Sequence, residues 1–284
     1  MPEPRTLVFG ATGSLGGHLL TELVARGVAP ETITAVGRNT DRIAELSGAG
    51  FGTAAVDLSD SDAIVEVVAG HSSLVLISGG DPNRVVQHLA VIHAAKDAGT
   101  EHFYYTSGVR ADEGAAINAD HKATEDALLT SGIPYTILRN TWYIENYLQA
   151  MQGPRYTGIF AAAVGDAVVA AASRKDLAEA LAAVVTTNGH LNVTYDLAGD
   201  TDFTYADIAK AMSTVLERDV TYVPVTSDEL RTQFIGAGLD VGLAGFLVGL
   251  DETISAGTFA RVGDDLTRLI GRPTTGLVEG LSAR

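Results

Sequence analysis

The sequence predicts an α/β fold: a doubly wound parallel sheet with a smaller C-terminal α/β substrate lobe. Three observations predict it. A β-prone run, Thr6 to Phe9, feeds a glycine-rich turn and then a helix-like stripe of Leu15, Leu19, Leu20, Leu23 and Val24. Further strand-like runs follow, alternating with helix-like stretches across short links, which is the pattern of a parallel sheet. After Asn140 that alternation gives way to an aromatic and then a Gly- and Leu-rich pattern.

The first corner is the most informative. Glycines recur at positions 10, 13 and 16 between strand and helix. Backbone N–H groups and the helix dipole make such a corner an anion site. Gly10 permits the tight turn, Gly13 the approach of a pyrophosphate, and Gly16 close packing of helix on strand. Glycine turns also close strand–helix units that bind nothing. Its place at the first strand, directly ahead of a helix pattern, favours a dinucleotide.

The second strand-like run, Thr32 to Val36, ends at Gly37-Arg38, and a helical stretch follows through Arg42, Ile43 and Leu46. Gly52 to Val56 ends at Asp57, followed by a helix signal through Ile64, Val67 and Val68. Ser73 to Ile77 stops at Ser78-Gly79-Gly80, with a helix from Pro82 to Ala98. His102 to Tyr105 ends at Thr106-Ser107-Gly108; a helix from about Ala119 to Thr130 then leads into the strand-like Pro134 to Leu138. In such sheets ligands bind off the carboxyl ends of the strands, so these strand ends are the candidate site.

Beyond Asn140, Trp142, Tyr143, Tyr147 and Tyr156 gather in a chain only 6% aromatic. Ser173 to Asp176 resembles a capping box opening a helix to Val185, and Val193 to Leu197 reads as a strand. Thr204 to Asp207 caps a further helix, and Val220 to Val223 is a strand outside the main sheet. Ser227 to Leu250 has helical spacing around Phe234 and Phe246, and the tail carries one or two short helices broken near Pro273. The expected division is a nucleotide domain at 1–150 and a substrate lobe mainly at 151–284, the chain returning to the sheet near 190–200.

Bulk properties narrow the function. A chain of 284 residues with 46% hydrophobic side chains can bury a large core. Its formal charge of −16 repels nucleic acid and anionic membrane, so neither is an expected partner. No window is apolar enough to span a bilayer, and Met1-Pro2-Glu3-Pro4-Arg5 lacks the parts of a signal peptide. The absence of cysteine excludes thiolate catalysis and Cys-based metal sites and points to a cytoplasmic home. A homodimer stays open as the assembly.

Several strand-end residues are candidates. Arg38 follows the second strand with no Asp or Glu between Thr32 and Thr40, so it can pair with the 2′-phosphate of NADP(H), or be a solvated surface arginine. Asp57 can accept from the adenine amino group or cap the next helix. Ser78, Gly79 and Gly80 offer a turn past ribose and phosphates. Thr106 and Ser107 can polarise a carbonyl or hold a carboxamide, or simply form a turn. His121, beside Lys122, can bond the nicotinamide ribose or donate a proton, or be a surface histidine on a helix's first turn. Asn140, Trp142, Tyr143 and Asn146 supply flat walls and amide donors for a small planar conjugated substrate, or an aromatic plug between lobes. No Tyr-x-x-x-Lys pair occurs.

Gly10 to Gly16, Arg38, Ile77-Ser78-Gly79, Tyr105-Thr106-Ser107, Ile133 to Asn140 and Leu269 to Thr275 together resemble the NmrA-like atypical short-chain dehydrogenase/reductase family, in its branch of type 2 quinone oxidoreductases and triphenylmethane reductases. Leu138 to Tyr147 is the most specific block. The resemblance implies a Rossmann-type fold that binds NADPH across Gly10, Ala11, Thr12, Gly13, Ser14 and Leu15, at Arg38, at the Ser78 turn, and along Arg139, Asn140, Thr141, Trp142, Tyr143 and Ile144. It implies hydride transfer to a quinone or dye-like acceptor without flavin or metal. Isoflavone-reductase relatives carry a catalytic lysine where His121 stands here, which argues against their chemistry. Water, His121 and Tyr143 are the open choices of proton donor. The rival is a non-catalytic regulator of the NmrA type, sensing NADP(H) and docking a protein partner.

Overall fold

The computed structural model describes residues 5–282. Met1 to Pro4, on which part of the leader reading falls, lie outside the described residues. The chain forms two compact units: residues 5–140 with Arg174–Asp196, and Thr141–Ser173 with residues 197–282. The sequence places a division at 150; the units divide after Asn140, and the segment that returns to the first includes a helix as well as a strand.

In chain order the first unit runs β1 (Thr6–Phe9), α1 (Ser14–Ala25), β2 (Ile33–Gly37), α2 (Thr40–Gly48), β3 (Gly52–Ala55), α3 (Ser61–Val68), β4 (Ser73–Ile77), α4 (Arg84–Asp97), β5 (His102–Gly108), α5 (Ala119–Ser131) and β6 (Tyr135–Asn140). Then come α6 (Asn146–Ala150), α7 (Pro154–Thr157), β7 (Ile159–Ala162) and β8 (Val168–Val169), followed by α8 (Arg174–Thr186) and β9 (Val193–Leu197). The remainder is β10 (Phe203–Thr204), α9 (Tyr205–Leu216), β11 (Thr221–Pro224), α10 (Ser227–Gly236), α11 (Val241–Ser255), α12 (Asp265–Ile270) and α13 (Leu277–Ser282).

The main sheet has the order β3-β2-β1-β4-β5-β6-β9. The pairings from β3 through β6 are parallel, as expected of a Rossmann-type doubly wound sheet. Leu7, Val8 and Phe9 of β1 are all buried, the two-sided burial that helices on both faces impose. One layer of the core joins Leu7, Phe9, Ile64, Leu76, Ile92, Phe103, Tyr105 and Ile137. The strand order reverses between β1 and β4, so the switch point lies at their carboxyl ends. Two strands run further than expected. β5 continues through Thr106 and Ser107, and β6 through Asn140, because Gly108 still pairs with Asn140.

The second unit holds two small sheets, β7 with β11 in parallel and β8 with β10 antiparallel. Phe160 stacks on Tyr205 at 5.4 Å, and Tyr147 meets Tyr205 edge-on at 5.9 Å. Thr204 and Asp207 form a reciprocal capping box at α9, and Thr226 with Glu229 does the same for α10. Among the described residues no helix is long and apolar enough to cross a membrane.

Candidate functional site

The corner after β1 is built by close approach. Gly10 has φ +81°, and a Cβ there would lie 3.0 Å from the Ile77 side chain of β4. A Cβ on Gly16 would lie 2.7 Å from Ala11 Cα and nearer still to the Gly10 carbonyl. Only glycine lets the first turn of α1 seat so closely. Gly13 N–H donates to Gly10 O at 3.0 Å, and Ala11 N–H to Val36 O at 3.1 Å, fixing the turn between β1 and β2. The Thr12 side chain packs over Gly37, Leu15 is buried, and Ser14 is exposed.

Gly13 is the N-cap of α1, with no side-chain acceptor and no acidic residue in the first turn. By contrast Asn39 and Asp60 cap α2 and α3 with their own oxygens. The opening N–H groups of α1 therefore suit an external anion. A dinucleotide's diphosphate fits this glycine cradle.

Arg38 follows β2 with its side chain 68% exposed, 3.8 Å from Asp81. Asp57 accepts from Ser59 N–H at 2.9 Å and Ser59 Oγ at 2.7 Å. Those bonds, with a smaller contribution from Arg38's charge, hold its carboxyl below the usual range. Asp57 does not cap α3, one of the two alternatives its position left open. That task falls to Asp60, which accepts from Ala63 N–H at 3.0 Å.

The turn after β4 is held from two sides. Ser78 N–H donates to Thr106 Oγ1 at 2.9 Å, and Arg84 Nη1 donates to Gly79 O at 3.3 Å. Gly80 is exposed. Thr106 is buried, its hydroxyl spent on positioning this turn. Ser107, on the next residue and hence the opposite strand face, donates to Glu125 Oε1 at 2.5 Å and is buried too. Both are strand residues with structural partners, not the turn formers that their place at a strand end left open.

The Arg139 side chain is engaged within its own unit. Its Nε and Nη2 donate to the two oxygens of buried Glu125 at 3.0 and 2.7 Å, while Nη1 lies 2.9 Å from Asp112 and 3.8 Å from Asp196. Burial acts against its charge, but the Glu125 bonds more than offset it and raise its pKa. The guanidinium is a clamp within the first unit, leaving only the Arg139 peptide for a cofactor. Nothing in the sequence marks Glu125, one of several carboxylates along α5.

His121 stands in the first turn of α5, half-buried, with Nδ1 2.9 Å from the Tyr105 hydroxyl. Burial first, then the charges of Arg84 and His88, push its pKa down to about 3, against a smaller opposing effect of Asp120. That makes it a neutral imidazole near pH 7. Lys122 pairs with Asp126 at 2.7 Å. Around His121 lies a network absent from the sequence reading. Arg84 Nε donates to Asp120 Oδ2 at 2.9 Å, and His88 Nδ1 lies 3.0 Å from Thr124 Oγ1. The spacing of Arg84 with His88 and of Asp120 with Thr124, four residues each, was the available signal.

In the second unit, Thr141 N–H donates to Leu197 O at 2.9 Å, and Trp142 O and Ile144 N–H bond Ala172 at 3.1 and 3.0 Å, forming the Tyr143–Ala172 bridge. Trp142 packs on Phe259 at 5.1 Å. Tyr147 is buried against Tyr205 and Tyr156 is exposed, so these aromatics disperse instead of gathering. Asn146 opens α6. Thr141 Oγ1 and Trp142 Nε1 are buried without a hydrogen-bond partner. An orphaned buried polar group costs about 1–3 kcal/mol, so both suit a ligand or ordered water. Among the described residues no group of three or more His, Asp or Glu is placed to hold a metal ion.

A family model described as NAD(P)H-binding matches residues 10–188. Quinone oxidoreductase 2 of Escherichia coli (strain K12) is 37% identical over 277 residues, covering 97% of this chain and 96% of that protein. The crystal structure of an NADPH-dependent quinone oxidoreductase from Escherichia coli complexed with NADPH superposes with a TM-score of 0.92 at 35% identity, covering 98% of this chain and 99% of that one. Triphenylmethane reductase of Citrobacter sp., complexed with NADP(H), gives 0.91 at 33% identity, with 98% of both chains covered.

Proposed function

The chain belongs to the NAD(P)H-binding family, among its NmrA-like atypical short-chain reductases, and from that premise we propose that it is an NADPH-dependent reductase of quinones or similarly conjugated acceptors, azo and triphenylmethane dyes included. The observation that carries the reading is the glycine corner, where α1 opens without a cap onto a cradle that a Cβ at Gly16 would fill. Bound there, NADPH would supply hydride to the acceptor; a quinone or azo acceptor then takes one proton from water, whereas a cationic triphenylmethane dye needs none.

The first unit is assigned to the cofactor. Gly10 to Leu15 cradle the diphosphate, Arg38 pairs with the 2′-phosphate, and Asp57 accepts from the adenine amino group. The Ser78–Gly80 turn and the peptides of Arg139 and Asn140 flank the remainder. Within the second unit, Thr141 Oγ1 and Trp142 Nε1 are unspent polar groups that suit a ligand. Trp142, Tyr143 and Asn146 are assigned to the acceptor, where ring faces and amide groups align a flat molecule for transfer. The cysteine-free, acidic chain suits a reducing cytoplasm and argues against a nucleic-acid partner.

Two measurements test this together: fluorescence titration with NADPH, and NADPH oxidation against a panel of benzoquinones, azo dyes and triphenylmethane dyes. Saturable binding with turnover of at least one acceptor is expected. Tight binding with no turnover leaves the dinucleotide-sensing regulator; no saturable binding removes both.

A further inference from the structure

We propose that Tyr105, through its hydroxyl, locks His121 in the tautomer that carries its hydrogen on Nε2, so that His121 meets the acceptor's oxygen as a neutral hydrogen-bond donor and not as a proton source. The donor half of this proposal rests on the reductase reading; the lock itself does not.

The geometry begins with a fully buried phenol. Tyr105 sits on β5, and its hydroxyl is 2.9 Å from His121 Nδ1. The desolvated site raises the phenol's pKa, so Tyr105 keeps its one hydrogen. Thr124 is also a hydrogen-bond neighbour of the Tyr105 hydroxyl, but it already meets His88 Nδ1 and Asp120 O, and an unprotonated ring nitrogen is a stronger acceptor than a hydroxyl oxygen, so the bond runs from Tyr105 O–H to Nδ1. A neutral imidazole carries one hydrogen, and the bond at one nitrogen decides which nitrogen holds it. That leaves Nε2–H.

The neighbouring groups agree. On α4, His88 lies edge-on to Tyr105 at 5.6 Å, but its Nδ1 is engaged by Thr124 Oγ1, whose own hydrogen goes to Asp120 O at 2.9 Å. Arg84 on α4 is paired with Asp120 on α5. Neither takes Nδ1 of His121. The ring's Cδ2 carbon lies beside the end of β5. A Cβ at Gly108, the last residue of β5, would come within 3.3 Å of His121 Cδ2, the carbon bonded to Nε2. That is the carboxyl end of the strand, where a parallel sheet receives its ligand.

Passing a proton outward through Nε2, with replacement from Tyr105, would strand a phenolate in a buried site. The acceptor gains a hydrogen and two electrons from the hydride donor, bears negative charge on its oxygen while held by Nε2–H, and takes its proton from water. Tyr105 is thus a positioning residue.

The test uses the full chain labelled with ¹⁵N. Long-range ¹H–¹⁵N spectra at pH 7 should show His121 protonated on Nε2 alone, and Tyr105→Phe should give a tautomer mixture. Tyr105→Phe should also lower kcat for benzoquinone roughly tenfold with the NADPH Kd unchanged. His121→Gln can place an amide N–H where Nε2–H was but cannot yield a proton; its kcat should stay within about threefold of wild type, and His121→Leu should fall well below it. A wild-type signal from Nδ1–H, an unaltered Nε2–H signal in Tyr105→Phe, or a Gln variant as slow as the Leu variant overturns the proposal. If the wild type shows the Nε2–H signal and turns over no quinone, the reductase reading falls and the donor role with it, while the lock stands.

Discussion

Arg38 and Arg139 carry the same charge to opposite ends. Arg38 is 68% exposed and only 3.8 Å from Asp81, an arrangement worth little in water, so it is free to turn toward a ligand phosphate. Arg38→Glu should weaken NADPH binding roughly tenfold or more and NADH far less, measured by parallel titrations; equal losses would remove Arg38 from the 2′-phosphate. Arg139 is spent. With Glu125 only 3% exposed and bonded to both Arg139 and Ser107, Glu125→Leu leaves a buried guanidinium facing a hydrocarbon. The expected loss is about 3 kcal/mol in urea unfolding, and a loss under about 1 kcal/mol would show the clamp to be dispensable. The sequence puts both arginines on the cofactor: a strand-end arginine without a neighbouring acid is visible, whereas Glu125, Asp112 and Asp196 come together on Arg139 only in three dimensions. Tyr105 was hidden for the same reason, since a strand tyrosine gives no hint of the helix histidine it will meet.

Elements of the main sheet were legible because each is short, apolar and closed by a helix-forming stretch nearby in sequence. β4 and β9 begin and end where the hydrophobic runs do. β7, β8 and β10 were not legible, for they are two to four residues long and β7 finds its partner β11 only some 60 residues on, beyond the reach of local periodicity. The α1 corner can be tested as an element through two adjacent glycines of one helix. Gly16→Ala puts a methyl 2.7 Å from Ala11 Cα and should lift the helix from β1, costing about 1–3 kcal/mol and abolishing saturable NADPH binding. At Gly17 a Cβ meets nothing nearer than Arg42 Nη2 at 3.8 Å, so Gly17→Ala should fold at least as stably, by up to about 1 kcal/mol, and bind NADPH normally. Equal behaviour of the two would mean that close packing at the corner does not govern the site.

For the whole molecule, acid acts with opposite signs at individual buried groups. In the first unit, burial depresses His88 to about 4, aided by Arg84, and His102 to about 4, aided by His190. Unfolded, each titrates near the ordinary value of 6.5, so between these values the unfolded chain binds more protons. Stability from both is complete above pH 6.5 and is lost as pH falls toward 4, with His88 alone worth on the order of 3 kcal/mol. In the second unit burial raises Asp251 to about 6, although Ala163 N–H donates to it at 2.7 Å. Its folded form holds a proton that the unfolded form has released, so the cost of ionising it is complete above pH 6 and relieved as pH falls toward 3.8. Asp251→Asn, which keeps an oxygen for Ala163 N–H, should therefore raise Tm at pH 8 and leave it unchanged at pH 4. On titration from pH 7 to 4 at a fixed, moderate urea concentration, far-UV circular dichroism should fall, and His88→Gln should move that change to lower pH. A transition unaffected by the His88 substitution would place the acid-sensitive groups elsewhere in the chain.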